Sequence, residues 1–297
     1  MNINAAVNKI EELFPNTAVL KNEPMKNHTT FRIGGRAAAL IEPCGADDFA
    51  GIVNFLKNEN VKYMIVGNGS NLLFSDDNLD MVIVKTQNKL CDIKLVSDTE
   101  IYAEAGALLS KIAAFAQQRG LSGMEFAHGI PGTLGGAAVM NAGAYGGEMR
   151  DIITKVVTCD GEFENKDCDF AYRHSRFEDG SCIIGAYIGL QKGDRDEIKA
   201  KMEELAAKRR SSQPLALPSA GSTFKRPQTG YAAAMIDGAG LKGYAVGGAM
   251  VSEKHAGFVV NYDNASFSDV MAVIDHVRKT VFEKCGTMLE PEVKIIK

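Results

Sequence analysis

No apolar run in this chain approaches the roughly 20 residues needed to cross a bilayer as a helix. No block of lysines or arginines gathers on one segment, and the net charge is −4. Nucleic acid or an anionic membrane surface is therefore excluded as the main partner, and no obligate protein partner is evident. Cys44, Cys91, Cys159, Cys168, Cys182 and Cys285 contain no C-x-x-C pair, and the five histidines lack metal-ligand spacing, so no metal site is expected. The N-terminal MNINAAVNKIEELF has a helical apolar pattern but neither a basic start nor an apolar h-region, and it carries Glu11 and Glu12. No secretory signal is expected there. These absences together predict reduced thiols in a cytoplasmic protein. Repeats and low-complexity stretches are also missing. What remains is an ordinary globular composition over 297 residues, enough for two domains or one large domain with an appendage.

Periodicity locates the elements. Residues 46–58 read as a helix with Asp47 and Asp48 near its start and Phe49, Ile52, Val53 and Leu56 on one face. Strands are expected at Tyr63–Val66, Met81–Lys85, 100–105, Ile152–Thr158 and Cys182–Leu190. Helices are expected at 107–119, closed by Gly120, and at 194–210, whose many charges read as a solvated face. The Pro-containing SSQPLALPSAG (211–221) breaks the pattern and marks a domain boundary. Beyond it lie a short helix near Tyr231–Asp237, a strand at Gly257–Asn261, and a helix from Phe267 to Lys284 opened by the capping-box pair Ser266 and Asp269. The chain ends in a strand-like EVKIIK. Strands and helices mix without strict alternation, which predicts an α+β fold.

Glycine is what the chain concentrates. Gly129–Gly147 reads GIPGTLGGAAVMNAGAYGG, with seven glycines and four alanines. Such a stretch is too small to fill a core and too apolar for a linker. It predicts a backbone-lined groove for a large, flat, phosphate-bearing cofactor, or else tight turns around a small-residue packing contact. A second segment, Gly67-Asn-Gly-Ser-Asn71, follows the apolar strand YMIV. Successive N–H groups in such a turn form a nest for phosphate oxygens, although a strand–turn–strand hairpin would look the same. It is no Rossmann fingerprint, because Leu72 stands where the third glycine belongs, and it lacks the Gly-Lys-Ser/Thr of a P-loop. The two segments together suggest a pyrophosphate cradle.

Three shorter motifs stand out. Tyr172–Phe177 (YRHSRF) sets two arginines among aromatics; its bland alternative is a surface ion pair. Ala220–Lys225 (AGSTFK) puts a hydroxyl beside glycine just after the boundary, or caps a helix through Ser222. Leu289–Val293 (LEPEV) brings a carboxylate to the terminal strand, or is merely an exposed strand end.

The order of these motifs resembles the MurB family, the UDP-N-acetylenolpyruvoylglucosamine reductases of bacterial peptidoglycan synthesis. The matching segments are Asn27–Gly35 (NHTTFRIGG), Gly67–Leu73, Gly129–Gly147, Tyr172–Phe177, Ala220–Pro227 and Leu289–Ile295, spanning nearly the whole chain. The resemblance implies an FAD-binding domain of vanillyl-alcohol-oxidase type over 1–210, with lobes of about 1–85 and 86–210. A smaller α+β substrate-binding domain over 211–286 and a returning terminal strand over 287–297 would follow. It implies non-covalent FAD, NADPH as reductant and a UDP-sugar substrate. FAD would lie on Gly67, Asn68, Gly69, Ser70, Asn71 and Leu72 of the first segment. From the second it would meet Gly129, Pro131, Gly132, Gly135, Gly136, Ala137, Asn141, Gly143, Ala144, Tyr145 and Gly146. Arg173, Ser222 and Glu292 match the catalytic trio, with Arg173 holding developing charge, Glu292 orienting the enolate and Ser222 delivering the proton. Tyr172, Lys225, Arg226 and His255 are candidate substrate contacts. Some family members carry an inserted loop with a lid tyrosine between the arginine and serine motifs; here one strand and one charged helix fill that interval, as in a shorter subtype. A flavin oxidase of the same superfamily, with His128 as a covalent attachment point, and a non-enzymatic nucleotide-binding module are the competing readings.

Overall fold

Residues 1–297 are described by a computed structural model. They form two compact units. The first comprises Met1–Asn22, Ala38–Asn68 and Asp80–Arg209; the second comprises Glu23–Ala37, Gly69–Leu79 and Arg210–Lys297.

Within the first unit, the three-and-four spacing of Phe49, Ile52, Val53 and Leu56 produces the expected helix, Ala46–Asn58, which buries all four. They share a core with Ala6, Val7 and Ile10 of the helix Ile3–Leu13 and with Ala39, Ile41, Val82 and Val84 of a four-stranded sheet. That sheet runs in the order Ala18–Pro24, Arg36–Glu42, Leu79–Lys85, Tyr63–Val66, and its last two strands are parallel, with Tyr63 opposite Val82. A second core in the same unit lies on a five-stranded antiparallel sheet ordered Gly161–Glu164, Ile153–Thr158, Ile183–Gly189, Glu100–Glu104, Ile93–Ser97. The helix Leu109–Gln118 contributes Ile112, Ala113 and Ala116 to it. A six-residue helix, Leu134–Val139, sits inside the glycine-rich run and buries Leu134, Gly135, Ala137 and Ala138. The charged helix Arg195–Ser212 buries only Ile198, Met202 and Leu205.

The second unit packs the helix Phe267–Cys285 through Val270, Val273, Ile274, Val277 and Val281. Its partners include Val251 and Val259 of a three-stranded antiparallel sheet, Ala245–Val246, Ala249–Val251 and Val259–Asn261. The terminal strand Lys294–Ile296 pairs in parallel with Leu72–Phe74, setting Ile295 opposite Leu73. Mixed parallel and antiparallel pairing beside separate helices makes both units α+β.

One expectation is overturned. Cys159 and Cys182 form a disulfide, with Cα atoms 5.5 Å apart, so not all six thiols are free. The two residues lie just beyond the paired strands Ile153–Thr158 and Ile183–Gly189, and the Cys159 N–H donates to the Cys182 carbonyl at 2.9 Å. Strand pairing brings together residues that no sequence spacing marks. Cys44, Cys91, Cys168 and Cys285 are free. No helix is long and apolar enough to cross a membrane.

The start of Phe267–Cys285 is closed reciprocally. The Asp269 N–H donates to Ser266 Oγ at 3.1 Å, and the Ser266 N–H donates to Asp269 Oδ2 at 2.9 Å. Ser266→Ala should therefore lower unfolding free energy by about 1 kcal/mol, measured by denaturant melts, with Ser266→Asp restoring most of it. The Ser266 backbone bond holds the Asp269 carboxyl below its ordinary range. A depressed folded-state pKa gives stability that is present above the ordinary carboxylate pKa and lost as pH falls through the depressed value. Asp269→Asn should thus destabilise less in acid than at neutral pH.

Candidate active site

Within the first unit, Gly67 and Asn68 of the first glycine-rich segment meet the second segment. The Asn68 side-chain amide donates to the Pro131 carbonyl at 2.7 Å. Gly67 approaches the other segment so closely that a Cβ there would lie 2.1 Å from Thr133 Oγ1. Main chain can come this near only where no side chain intervenes. Thr133 is buried, and its hydroxyl has no hydrogen-bond partner. Gly136 is different again: a Cβ there would meet nothing nearer than Thr133 Oγ1 at 3.7 Å. At Gly146, which has φ +90°, it would meet nothing within 4 Å. An orphaned buried hydroxyl beside side-chain-free, open backbone fits a bound ligand with polar oxygens. FAD fits this cradle.

Other members of the run serve the protein itself. A Cβ on Gly135 would lie 2.9 Å from that of Ala105, and one on Gly143 would lie 2.7 Å from the Gly147 carbonyl. Asn141 is fully buried. Its amide donates to Glu148 Oε2 and to the Ala171 carbonyl, both at 2.9 Å, while its oxygen accepts the Arg150 N–H at 2.9 Å. Both amide N–H groups and the oxygen of that side chain are engaged within the protein, so Asn141 braces the fold. Gly129 lies against Arg209, whose Cδ would be 3.1 Å from a Cβ at 129. His128 Nδ1 is buried without a partner.

The Tyr172–Arg173 segment is a tight turn built onto the same run. Ala171 and His174 form an isolated bridge, and Ser175 Oγ donates to the Val139 carbonyl at 2.7 Å. Arg173 donates through Nη2 to the Gly143 carbonyl at 3.4 Å, and its guanidinium lies 5.1 Å from the Tyr172 ring centre. Asn141, Tyr145 and Arg173 all have left-handed backbone, with φ of 42°, 54° and 54°. Such angles in non-glycine residues persist only where the surroundings enforce them, as they do in functional loops. His174 sits between Glu178 and Asp169, whose hydrogen bonds raise its pKa. That pair is exposed, which makes it a surface feature.

In the second unit, Ser222 and Glu292 lie at the same end of one short antiparallel ladder. The Glu292 N–H donates to the Thr223 carbonyl at 2.8 Å, the Lys225 N–H to the Glu290 carbonyl at 2.9 Å, and Phe224 bridges Pro291. The Asn71 amide donates to the Glu292 carbonyl at 3.0 Å and ties the end of GNGSN to the same strand. Ser222 is exposed and belongs to no helix; the following helix is Ala232–Gly238 with Tyr231 at its N-cap, so the helix-capping alternative for Ser222 falls. Gly69, at φ +61°, comes close to the His28 carbonyl, and the Thr30 N–H donates to the Gly69 carbonyl at 3.3 Å.

Of the candidate substrate contacts, Lys225 reaches Glu290 at 3.5 Å and Arg226 lies 4.2 Å above the Tyr231 ring. His255 packs edge-on against Phe258 and accepts the Gly257 N–H at Nδ1, 3.2 Å away. Burial pushes its pKa below the ordinary imidazole value. A separate cavity of about 700 Å³ in this unit is lined by Arg32, Gly35, Asp76, Asn261 and Ser266, among others, and contains none of these residues. Its Asp76 already caps the Phe267 N–H, and its Asn261 already holds the Phe31 carbonyl and the Ala265 N–H. Thr133 and Arg209 were not singled out by the sequence: a threonine among glycines and an arginine on a charged helix carry no local signal.

Residues 37–165 match the family model described as FAD binding domain. Residues 213–296 match UDP-N-acetylenolpyruvoylglucosamine reductase, C-terminal domain. The UDP-N-acetylenolpyruvoylglucosamine reductase of Caldanaerobacter subterraneus subsp. tengcongensis is 48% identical over 296 residues, covering 98% of this chain and 97% of its own. The protein of the same name from Agathobacter rectalis is 44% identical, covering 98% of each. Among solved structures, UDP-N-acetylenolpyruvylglucosamine reductase (MurB) from Thermus caldophilus aligns with a TM-score of 0.81 at 29% identity, over 95% of this chain and 99% of that one. Likeness of this degree spans nearly the whole chain, and the chain belongs to the UDP-N-acetylenolpyruvoylglucosamine reductase family.

Proposed function

We propose that this protein reduces UDP-N-acetylenolpyruvoylglucosamine to UDP-N-acetylmuramate, using FAD and NADPH, in peptidoglycan precursor synthesis. The observation that carries the reading is the junction of the two glycine-rich segments, where Asn68 holds Pro131 and Thr133 is left with an unpartnered hydroxyl. The relatives named above supply the substrate. The two glycine-rich segments hold FAD and the C-terminal region holds the UDP-sugar. The setting is the cytoplasm, where nucleotide-activated sugars and NADPH are made.

Bound FAD supplies the hydride chemistry, drawing on NADPH. The chain supplies charge, alignment and a proton. Adding hydride to the terminal carbon of the enolpyruvyl group builds negative charge on the adjacent carbon and its carboxylate. Arg173, permanently charged and presenting a planar fork, holds that charge. Its left-handed backbone and its bond to Gly143 limit where the fork can point. Glu292 orients the developing enolate, and its main chain is fixed by Thr223 and Asn71. The Ser222 hydroxyl delivers the proton that completes the saturated carbon. An exposed serine outside any helix has no structural duty to compete with that role.

The purified protein should be yellow and release all its flavin on acid or heat denaturation; flavin retained through a denaturing gel would instead favour covalent attachment, with His128 as the first residue to test. Gly136→Val should abolish FAD binding while leaving the apoprotein melt close to the parent's, because its side chain would enter open space. Gly143→Val should lower the melt itself, because the Gly147 carbonyl and Glu148 already occupy that volume.

Ser222→Ala should leave single-turnover NADPH oxidation without substrate near the parent rate. Turnover with the enolpyruvyl substrate should fall about 10²–10⁴-fold, the usual contribution of a general acid. Its melt should not move. Arg173→Lys should keep FAD affinity and NADPH oxidation but slow substrate reduction, since an ammonium cannot reproduce the guanidinium fork. Substrate reduction at the parent rate in either variant would remove that residue from its role.

A further inference from the structure

A guanidinium taken from water without a counter-charge destabilises a fold, since nothing replaces the hydration it loses. Arg209 is such a group. It lies near the end of the helix Arg195–Ser212 and is half-buried. The lysines of that helix are satisfied differently: Lys199 reaches Glu203, and Lys201 and Lys208 both reach Glu204, all on the exposed side. The Arg209 side chain has no ion pair or hydrogen bond. Instead it lies on Gly129, where a Cβ would be 3.1 Å from its Cδ, 3.8 Å from Nη1 and 3.9 Å from Nε. The absence of a side chain at 129 is what gives the guanidinium its place. Burial holds its pKa below the ordinary value, and Tyr145 lies near enough to act on it electrostatically. Both neighbours belong to the glycine-rich run that also carries the orphaned Thr133 hydroxyl.

We propose that Arg209 is a diphosphate-binding residue of the glycine-rich groove, its guanidinium held unpaired on Gly129 to receive phosphate oxygens. Arginine suits the task, since its donors match two phosphate oxygens at once. The inference rests on the reductase reading for its two possible sources of diphosphate: the pyrophosphate of FAD and the diphosphate of the UDP-sugar.

The test uses Arg209→Gln, Arg209→Lys and Gly129→Ala in the full chain. FAD is titrated into each apoprotein by flavin fluorescence, UDP into each FAD-loaded protein by calorimetry, and inorganic pyrophosphate into each apoprotein. A charge-assisted hydrogen bond contributes about 1.5–3 kcal/mol, so Arg209→Gln should lose about ten- to a hundredfold in affinity for pyrophosphate. The same loss should appear for FAD if the cofactor is the source, or for UDP if the substrate is. Arg209→Lys should recover part of it. Gly129→Ala, which displaces the guanidinium without changing its charge, should weaken the same ligand. The Arg209→Gln apoprotein should melt no lower than the parent, because an uncompensated charge has been removed.

A lower apoprotein melt with all three affinities within twofold of the parent's would make Arg209 a packing residue and overturn the proposal. Should Arg209→Gln not fold, the lysine and Gly129 variants decide by the same affinities. A parent that binds pyrophosphate through Arg209 but never FAD would overturn the reductase reading and leave this inference standing.

Discussion

The buried amide of Asn141 is the constraint on which the first unit's candidate site depends. It ties the glycine-rich run to Glu148, to the Arg150 N–H and to the Ala171 carbonyl in a place closed to water. Losing one partner there would leave another polar group buried and unsatisfied, which costs more than the hydrogen bond itself. One side chain thus closes the end of the run and sets the residue before Tyr172 and Arg173. The left-handed backbone at Asn141, Tyr145 and Arg173 is tolerable because such bonds enforce it.

Some polar groups in each unit are satisfied within the protein and others are not. In the cavity of the second unit, Asp76 and Asn261 are already bonded to main chain and so help hold the fold together. Thr133 Oγ1 is buried and bonded to nothing, and the Arg209 side chain is half-buried and unpaired. Folded proteins rarely leave such groups alone, so each needs a complement such as an ordered water, an ion or a ligand. The glycines divide in the same way. Gly135 and Gly143 are glycine because protein fills the space, whereas Gly136 and Gly146 face open room. A glycine-rich run is therefore two devices in one stretch of chain, and only coordinates separate them.

The second unit fixes its short ladder through main chain. Thr223 and Glu292 are joined through backbone, and Asn71 bonds the same strand through the Glu292 carbonyl. Neither bond uses the Ser222 hydroxyl or the Glu292 carboxylate. Backbone ladders resist small displacements, so an exposed serine can be held in place without engaging its hydroxyl.

Much of the fold was legible in local pattern. Apolar spacing marked Ala46–Asn58 and, with the Ser266–Asp269 box, Phe267–Cys285, because helical periodicity and capping are properties of neighbours in sequence. The strands Ala18–Pro24, Arg36–Glu42 and Ile93–Ser97 were not foreseen: the first and last are largely exposed, and the second is rich in alanine, a weak strand former. The helix Leu134–Val139 was hidden because glycine disfavours helices and only packing holds it. By itself the sequence determined the types of its main elements, the glycine-rich segments and the motifs that mark the family. Tertiary structure alone decided that Cys159 meets Cys182, that Asn141 braces while Thr133 is left open, that Ser222 caps nothing, and that Arg209 turns from a charged helix onto Gly129. Each of those outcomes depends on partners distant in the chain, and distance in sequence leaves no local pattern to read.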